Sequence, residues 1–102
     1  MKTVMVRYTV KAERAEENVK YVEAVFAELA QSRPAGLHYG TFRFPDGVTF
    51  VHLARIATED GSNPLAALAP FKAFTAQIKE RCVEPPVSSE VTQVGAYRIF
   101  EG

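Results

Sequence analysis

The chain has 102 residues, 47% of them hydrophobic and 24% charged, and its 12 basic and 12 acidic residues balance to zero net charge. That is enough chain for a single domain, residues 1–102, with one modest core. The balance excludes the basic footprint of a nucleic-acid binder, and no basic-aromatic alternation appears. The one cysteine, Cys82, excludes an internal disulfide and fits a reducing compartment. The opening MKTVMVRYTVK has too short an apolar run for a signal peptide, and no stretch reaches the length of a membrane span. A cytoplasmic location and no membrane partner are expected.

Residues 3–11 alternate, with Val4, Val6, Tyr8 and Val10 on one face and Met5, Arg7 and Thr9 on the other, as a half-buried strand does. From residue 15 to about residue 31 the period becomes helical. Val19, Val22, Phe26 and Leu29 form the apolar stripe, and the acidic residues of the first half suit the helix dipole. Pro34 and Gly36 stop this helix.

Residues 37–56, LHYGTFRFPDGVTFVHLARI, read as two strands around a Pro45-Asp46-Gly47 turn. A three-residue loop with a bulge at Gly47 places Phe44 opposite Val48. In that register His38, Gly40, Phe42 and Phe44 share a face with Phe50, His52, Ala54 and Ile56, and this face should lie against helices. Thr58 to Pro64 is a surface loop whose Ser62 or Asn63 can cap a second helix. A turn of helix at 64–68 and a main helix from near Pro70 to near Arg81 carry Leu65, Leu68, Phe71, Phe74, Ile78 and Cys82 on one stripe. Glu84-Pro85-Pro86 is read as a stop, and residues 87–100 as a last strand, bent at Gly95.

The order β-α-β-β-α-β predicts a ferredoxin-like α+β sandwich: a four-stranded antiparallel sheet, strand order 4-1-3-2, with two helices on one face. In that order Tyr8 comes beside His52. The helix-free face, with Met5, Leu37, Tyr39, Val51 and Leu53 among Arg7, Arg43 and Arg55, carries enough apolar area to need a cover. A second copy of the chain is the simplest one, giving a homodimer through the sheet face.

His52 is the best candidate for chemistry, as a base near neutral pH, with Tyr8 and His38 as neighbours. The alternative is a buried histidine satisfied by a backbone carbonyl or by Tyr8. Phe42, Phe50, Ile56, Phe71 and Phe74 line an aromatic-binding cavity or are simply core. His38 and His52 could begin a metal site, but no third ligand is evident, and no metal is expected. Cys82 has no histidine placed to activate it.

The element order, the Pro-x-Gly-Leu lead-in at Pro34 to Leu37, the Asp46-Gly47 turn and Leu68-x-Pro-Phe-Lys-x-Phe ending at Phe74 resemble the antibiotic-biosynthesis monooxygenase family of the dimeric α/β-barrel superfamily. The resemblance covers nearly the whole chain. It implies sheets paired face to face into a barrel, and a small aromatic or haem-like ligand held between sheet and helices of each subunit. It implies oxidation of an aromatic or quinone-like substrate without a cofactor, or a non-catalytic dimer that binds or senses a metabolite. The family's cavity Asn and Trp fall on His52 and Ile56, and the chain has no tryptophan. The haem-degrading members' first-strand Asn falls on Val6, and the second helix lacks their His, so haem degradation is not implied.

Overall fold

The computed structural model describes residues 1–99. Strand β1 (Lys2–Val10) is followed, after a short 3₁₀ turn, by helix α1 (Ala15–Ser32), then by β2 (Leu37–Arg43) and β3 (Thr49–Ile56). A second 3₁₀ turn (Pro64–Ala67) leads into α2 (Ala69–Ala76) and α3 (Ile78–Arg81), and β4 (Cys82–Val91) closes the fold. The sheet is antiparallel, in the order β2-β3-β1-β4. This is the ferredoxin-like α+β arrangement that the element order predicts.

Alternation decides which side of the sheet carries the core. Val4, Val6, Tyr8 and Val10 of β1 face the helices together with Phe50, His52, Ala54 and Ile56 of β3. Tyr8, Val10 and Phe50 are almost fully buried against Val25 of α1, Leu65, Phe74 and Ile78. Each such large side chain contributes roughly 1.5–3 kcal/mol by leaving water.

The hairpin departs from its expected register by one residue. Thr41 lies opposite His52, and Arg43 opposite Phe50. The cause is Asp46. Its carboxylate accepts the N–H groups of Val48 and Thr49, both at 2.9 Å, and the Thr49 hydroxyl at 2.6 Å. Val48 is thereby drawn into the loop, and the first bond across the hairpin runs from the Phe44 N–H to the Thr49 carbonyl. A slip of one residue turns every side chain of β2 over. Leu37, Tyr39, Thr41 and Arg43 face the helices. His38, Gly40 and Phe42 lie on the open face, where Phe42 is 59% exposed.

Two other expectations are corrected. Helix α1 turns the expected Val19, Val22 and Leu29 to the core, but buries Ala15, Asn18 and Val25 beside them more deeply. The helix ends at Arg81 as expected, but the last strand begins directly after it at Cys82 and not at residue 87, so Pro85 and Pro86 lie within β4. β4 is an edge strand, where a missing N–H is tolerated. Its register to β1 slips between Arg7–Val87 and Thr9–Glu84, so the two prolines together face Tyr8. The expected last strand from 87 ends instead at Val91, and its expected end at Phe100 lies outside the described residues.

Candidate functional site

A cavity of about 250 Å³ opens between the sheet and the second helical layer. Val4, Val6, Tyr8, Tyr39, His52, Ala54 and Ile56 line it from the sheet, and Leu65, Phe71, Phe74 and Ile78 from the opposite side. Asn63, Thr75 and Ser88 also line it and are exposed, so they mark its mouth. The break between α2 and α3 at Gln77, and the extended backbone at Leu68 between the 3₁₀ turn and α2, keep this layer from closing down as one straight helix.

A hydrogen-bond chain crosses the core into this cavity. Arg81 Nε donates to Asn18 Oδ1 at 3.2 Å, and Asn18 Nδ2 donates to Tyr8 Oη at 2.9 Å. Tyr8 Oη lies 2.7 Å from His52 Nε2. On the other side of the ring, His52 Nδ1 lies 2.6 Å from Tyr39 Oη and 3.1 Å from Thr41 Oγ1. Both imidazole nitrogens are therefore engaged. Asn18 and Arg81 are wholly inaccessible to solvent, and His52 is 5% exposed.

Burial sets the protonation states. It pushes His52 down to about 4, so the ring is neutral at physiological pH. Burial raises the Tyr8 phenol, against the opposing pull of its bond to Asn18, and pushes Tyr39 up to about 12, so both phenols keep their hydrogens. Burial also raises the Cys82 thiol, against the lowering pull of Arg81, which disfavours the thiolate.

Of the residues that the sequence pattern nominates, His52, Tyr8, Ile56, Phe71 and Phe74 meet at the cavity, as does Val6. Phe50 does not line it. Its ring stacks on Tyr8 at 5.6 Å and borders a separate cleft with Val19, Val22, Phe26 and Thr41. His38 and Phe42 are on the other side of the sheet, so they cannot reach a ligand beside His52, and the two histidines cannot share a metal. Among the described residues no group of three or more His, Cys, Asp or Glu side chains could hold one.

Sequence patterning misses Tyr39, Thr41, Asn18 and Arg81. Tyr39 and Thr41 are lost with the register. Asn18 has a signal: Ala15, Asn18, Val22, Val25 and Leu29 recur at spacings of three and four, which places an amide inside an apolar stripe. Arg81 has none, since its burial depends on Asn18, the Phe74 carbonyl and the Tyr21 ring, partners that no local pattern brings to it.

No family model matches this sequence, and no curated protein does. Solved structures do match. One named antibiotic biosynthesis monooxygenase is 16% identical with a TM-score of 0.74, covering 93% of this chain and 100% of its own. A Mycobacterium tuberculosis protein is 14% identical with a TM-score of 0.74, over 93% and 96%. A Nitrosomonas europaea protein of unknown function is 18% identical with a TM-score of 0.72, over 94% and 91%. At these identities the likeness is one of fold, and in fold this chain resembles the antibiotic biosynthesis monooxygenases across nearly its whole length.

Proposed function

We propose that the protein binds a small aromatic or quinone-like molecule in the cavity beside His52 and oxidises it without a resident cofactor. One observation carries this reading: an apolar cavity into which the core directs a single Tyr8–His52–Tyr39 chain. Few convergent polar groups in an apolar concavity are what an oriented small ligand needs. An engineered apolar cavity of about 150 Å³ holds benzene, so one of about 250 Å³ has room for fused rings. The name carried by a neighbour of the same fold supports an oxidative reaction.

The proposed reaction converts an activated ring methylene and O₂ to a ketone and water. The methylene loses a proton to water at the cavity mouth, its carbanion passes an electron to O₂, the two radicals recombine to a peroxide that takes a proton back from water, and loss of water leaves the carbonyl. The protein supplies the shaped pocket and a hydrogen-bonding chain that steadies the oxygen on which charge gathers. His52 is central to that chain, as the link between the tyrosines. Oxygen uptake with a panel of anthrones and hydroquinones tests the proposal. Uptake that disappears in His52→Gln, with the far-UV dichroism unchanged, is the expected result. Absence of uptake with every compound sinks the oxidation.

A second reading, binding without turnover, is favoured by a specific observation. Both His52 nitrogens are occupied and the ring is a weak base, poorly suited to take a proton at neutral pH. Saturable binding of the same compounds with no oxygen uptake selects it.

The same proposal includes a homodimer closed through the open sheet face. Met5, Phe42 and Val87 are exposed there, beside Val51 and Leu53. A helix-free face of this composition is stabilised by a self-complementary contact. Sedimentation should show a dimer, and Leu53→Arg a monomer; a monomeric wild type refutes this part.

A further inference from the structure

We infer that Tyr39, not His52, presents the hydrogen bond to the ligand, and that the pocket selects aromatic molecules bearing an acceptor oxygen, such as a ketone, quinone or phenolate. This rests on the proposed binding of an aromatic molecule in the cavity. The polarity of the buried hydrogen bonds leads to it.

A guanidinium has donors and no acceptor. Arg81 Nε therefore requires an oxygen opposite it, which orients the Asn18 amide with Oδ1 toward Arg81 and Nδ2 toward Tyr8. Tyr8 Oη thus receives a hydrogen from Asn18. Its own hydrogen must go to its other neighbour, His52 Nε2, at 2.7 Å. That nitrogen is an acceptor, so the neutral ring carries its hydrogen on Nδ1. Nδ1 faces Tyr39 Oη at 2.6 Å and cannot accept from it. Thr41 Oγ1, 3.1 Å from the same Nδ1, shares that donor.

Tyr39 Oη then receives a hydrogen from His52, and its own hydrogen cannot return to that ring. Tyr39 lines the cavity, and its ring is held by stacking on Phe26, with centroids 5.2 Å apart and planes 17° apart. The cavity is where that hydrogen can meet a ligand. Receiving hydrogen bonds makes a hydroxyl a stronger donor, so the chain polarises Tyr39 toward the ligand. His52 is accordingly a positioning residue: it fixes where the Tyr39 oxygen sits and which way its hydrogen points.

Two measurements test this. The ¹⁵N shifts of His52 should show a protonated Nδ1 and an unprotonated Nε2 at neutral pH; the reverse pattern overturns the inference with no ligand involved. Binding of 1-tetralone and of tetralin, identical but for the carbonyl, should then be compared in wild type and Tyr39→Phe. The ketone-to-hydrocarbon affinity ratio should fall roughly five- to tenfold in the variant, the worth of one hydrogen bond. Tetralin affinity should hold, and the carbonyl stretch of bound tetralone should lose its shift to lower frequency. A ratio unaffected by Tyr39→Phe overturns the inference while leaving aromatic binding intact. If neither compound binds, the aromatic reading of the cavity falls, and the ¹⁵N pattern still decides the hydrogen-bond assignment.

Discussion

Replacing His52 with Gln should remove a distinct part of the protein's sensitivity to mild acid. His52 is 5% exposed, and burial lowers its folded-state value from 6.5 to about 4. Between those values the unfolded chain holds a proton that the folded chain excludes, so stability rises with pH across this window. The contribution is fully present above 6.5 and is lost as the pH falls toward 4. At about 1.4 kcal/mol per pH unit the whole effect is roughly 3 kcal/mol, of which about 2 kcal/mol has gone by about pH 5. Urea unfolding of wild type and His52→Gln over about pH 4.5 to 8 measures it. Asp46 and Asp60, whose carboxyls are held low by hydrogen bonds, also lose stabilisation in acid, but equally in both proteins. The difference between the two stability curves therefore belongs to His52. Wild type should lose about 2 kcal/mol more than the variant on going to about pH 5. Parallel curves would show that the ring is not sequestered, and the buried hydrogen-bond chain would fail with it.

Other perturbations probe the frame around the site. Gly36→Ala should lower stability by about 1–3 kcal/mol in the same assay, because Gly36 has φ +77° and an added Cβ would lie 2.9 Å from the Ala57 carbonyl oxygen. Asp46→Ala should cost about 1–2 kcal/mol in urea unfolding, since the carboxylate holds two backbone N–H groups and the Thr49 hydroxyl. Arg81→Met should change stability by less than about 1–2 kcal/mol, the lost hydrogen bonds being offset by removal of a buried charge. It should nevertheless leave the His52 ¹⁵N spectrum without a single dominant tautomer.

What the sequence conveys well is set by constraints that act locally or on both sides of an element. β3 lies between two strands, its Phe50, His52, Ala54 and Ile56 share one face, and that face is legible from alternation alone. β2 carries no comparable signal. Leu37, Tyr39 and Thr41 are hardly more apolar than His38, Gly40 and Phe42, so its facing depends on the turn. Pro45-Asp46-Gly47 locates the turn but not its length. The length is set by the Asp46 carboxylate taking two N–H groups, a side-chain preference that competes with the three-residue loop. One residue of loop length moves Tyr39 into the site and His38 out of it. The prolines of β4 show a similar limit: the expected strand order already places the last strand at the edge, where prolines are tolerated, yet a Pro-Pro pair after a helix reads as a break, so the strand's start at Cys82 is missed.

Arg81 shows why the polar chain is more than filler in an otherwise apolar core. The guanidinium is fully buried, and no carboxylate forms an ion pair with it among the described residues. Its Nη1 has no hydrogen-bond partner. The Tyr21 ring at 4.4 Å, the Phe74 carbonyl and Asn18 offset part of the several kcal/mol that desolvating such a charge costs. Leucine or methionine would fill the same volume at a smaller cost in free energy. What neither could do is refuse a hydrogen bond. Because Arg81 can only donate, the Asn18 amide has one orientation, Tyr8 has one acceptor and His52 has one tautomer. An unfavourable buried cation thus gives direction to a chain of groups that could each otherwise point either way, and that direction ends at Tyr39, on the wall of the cavity.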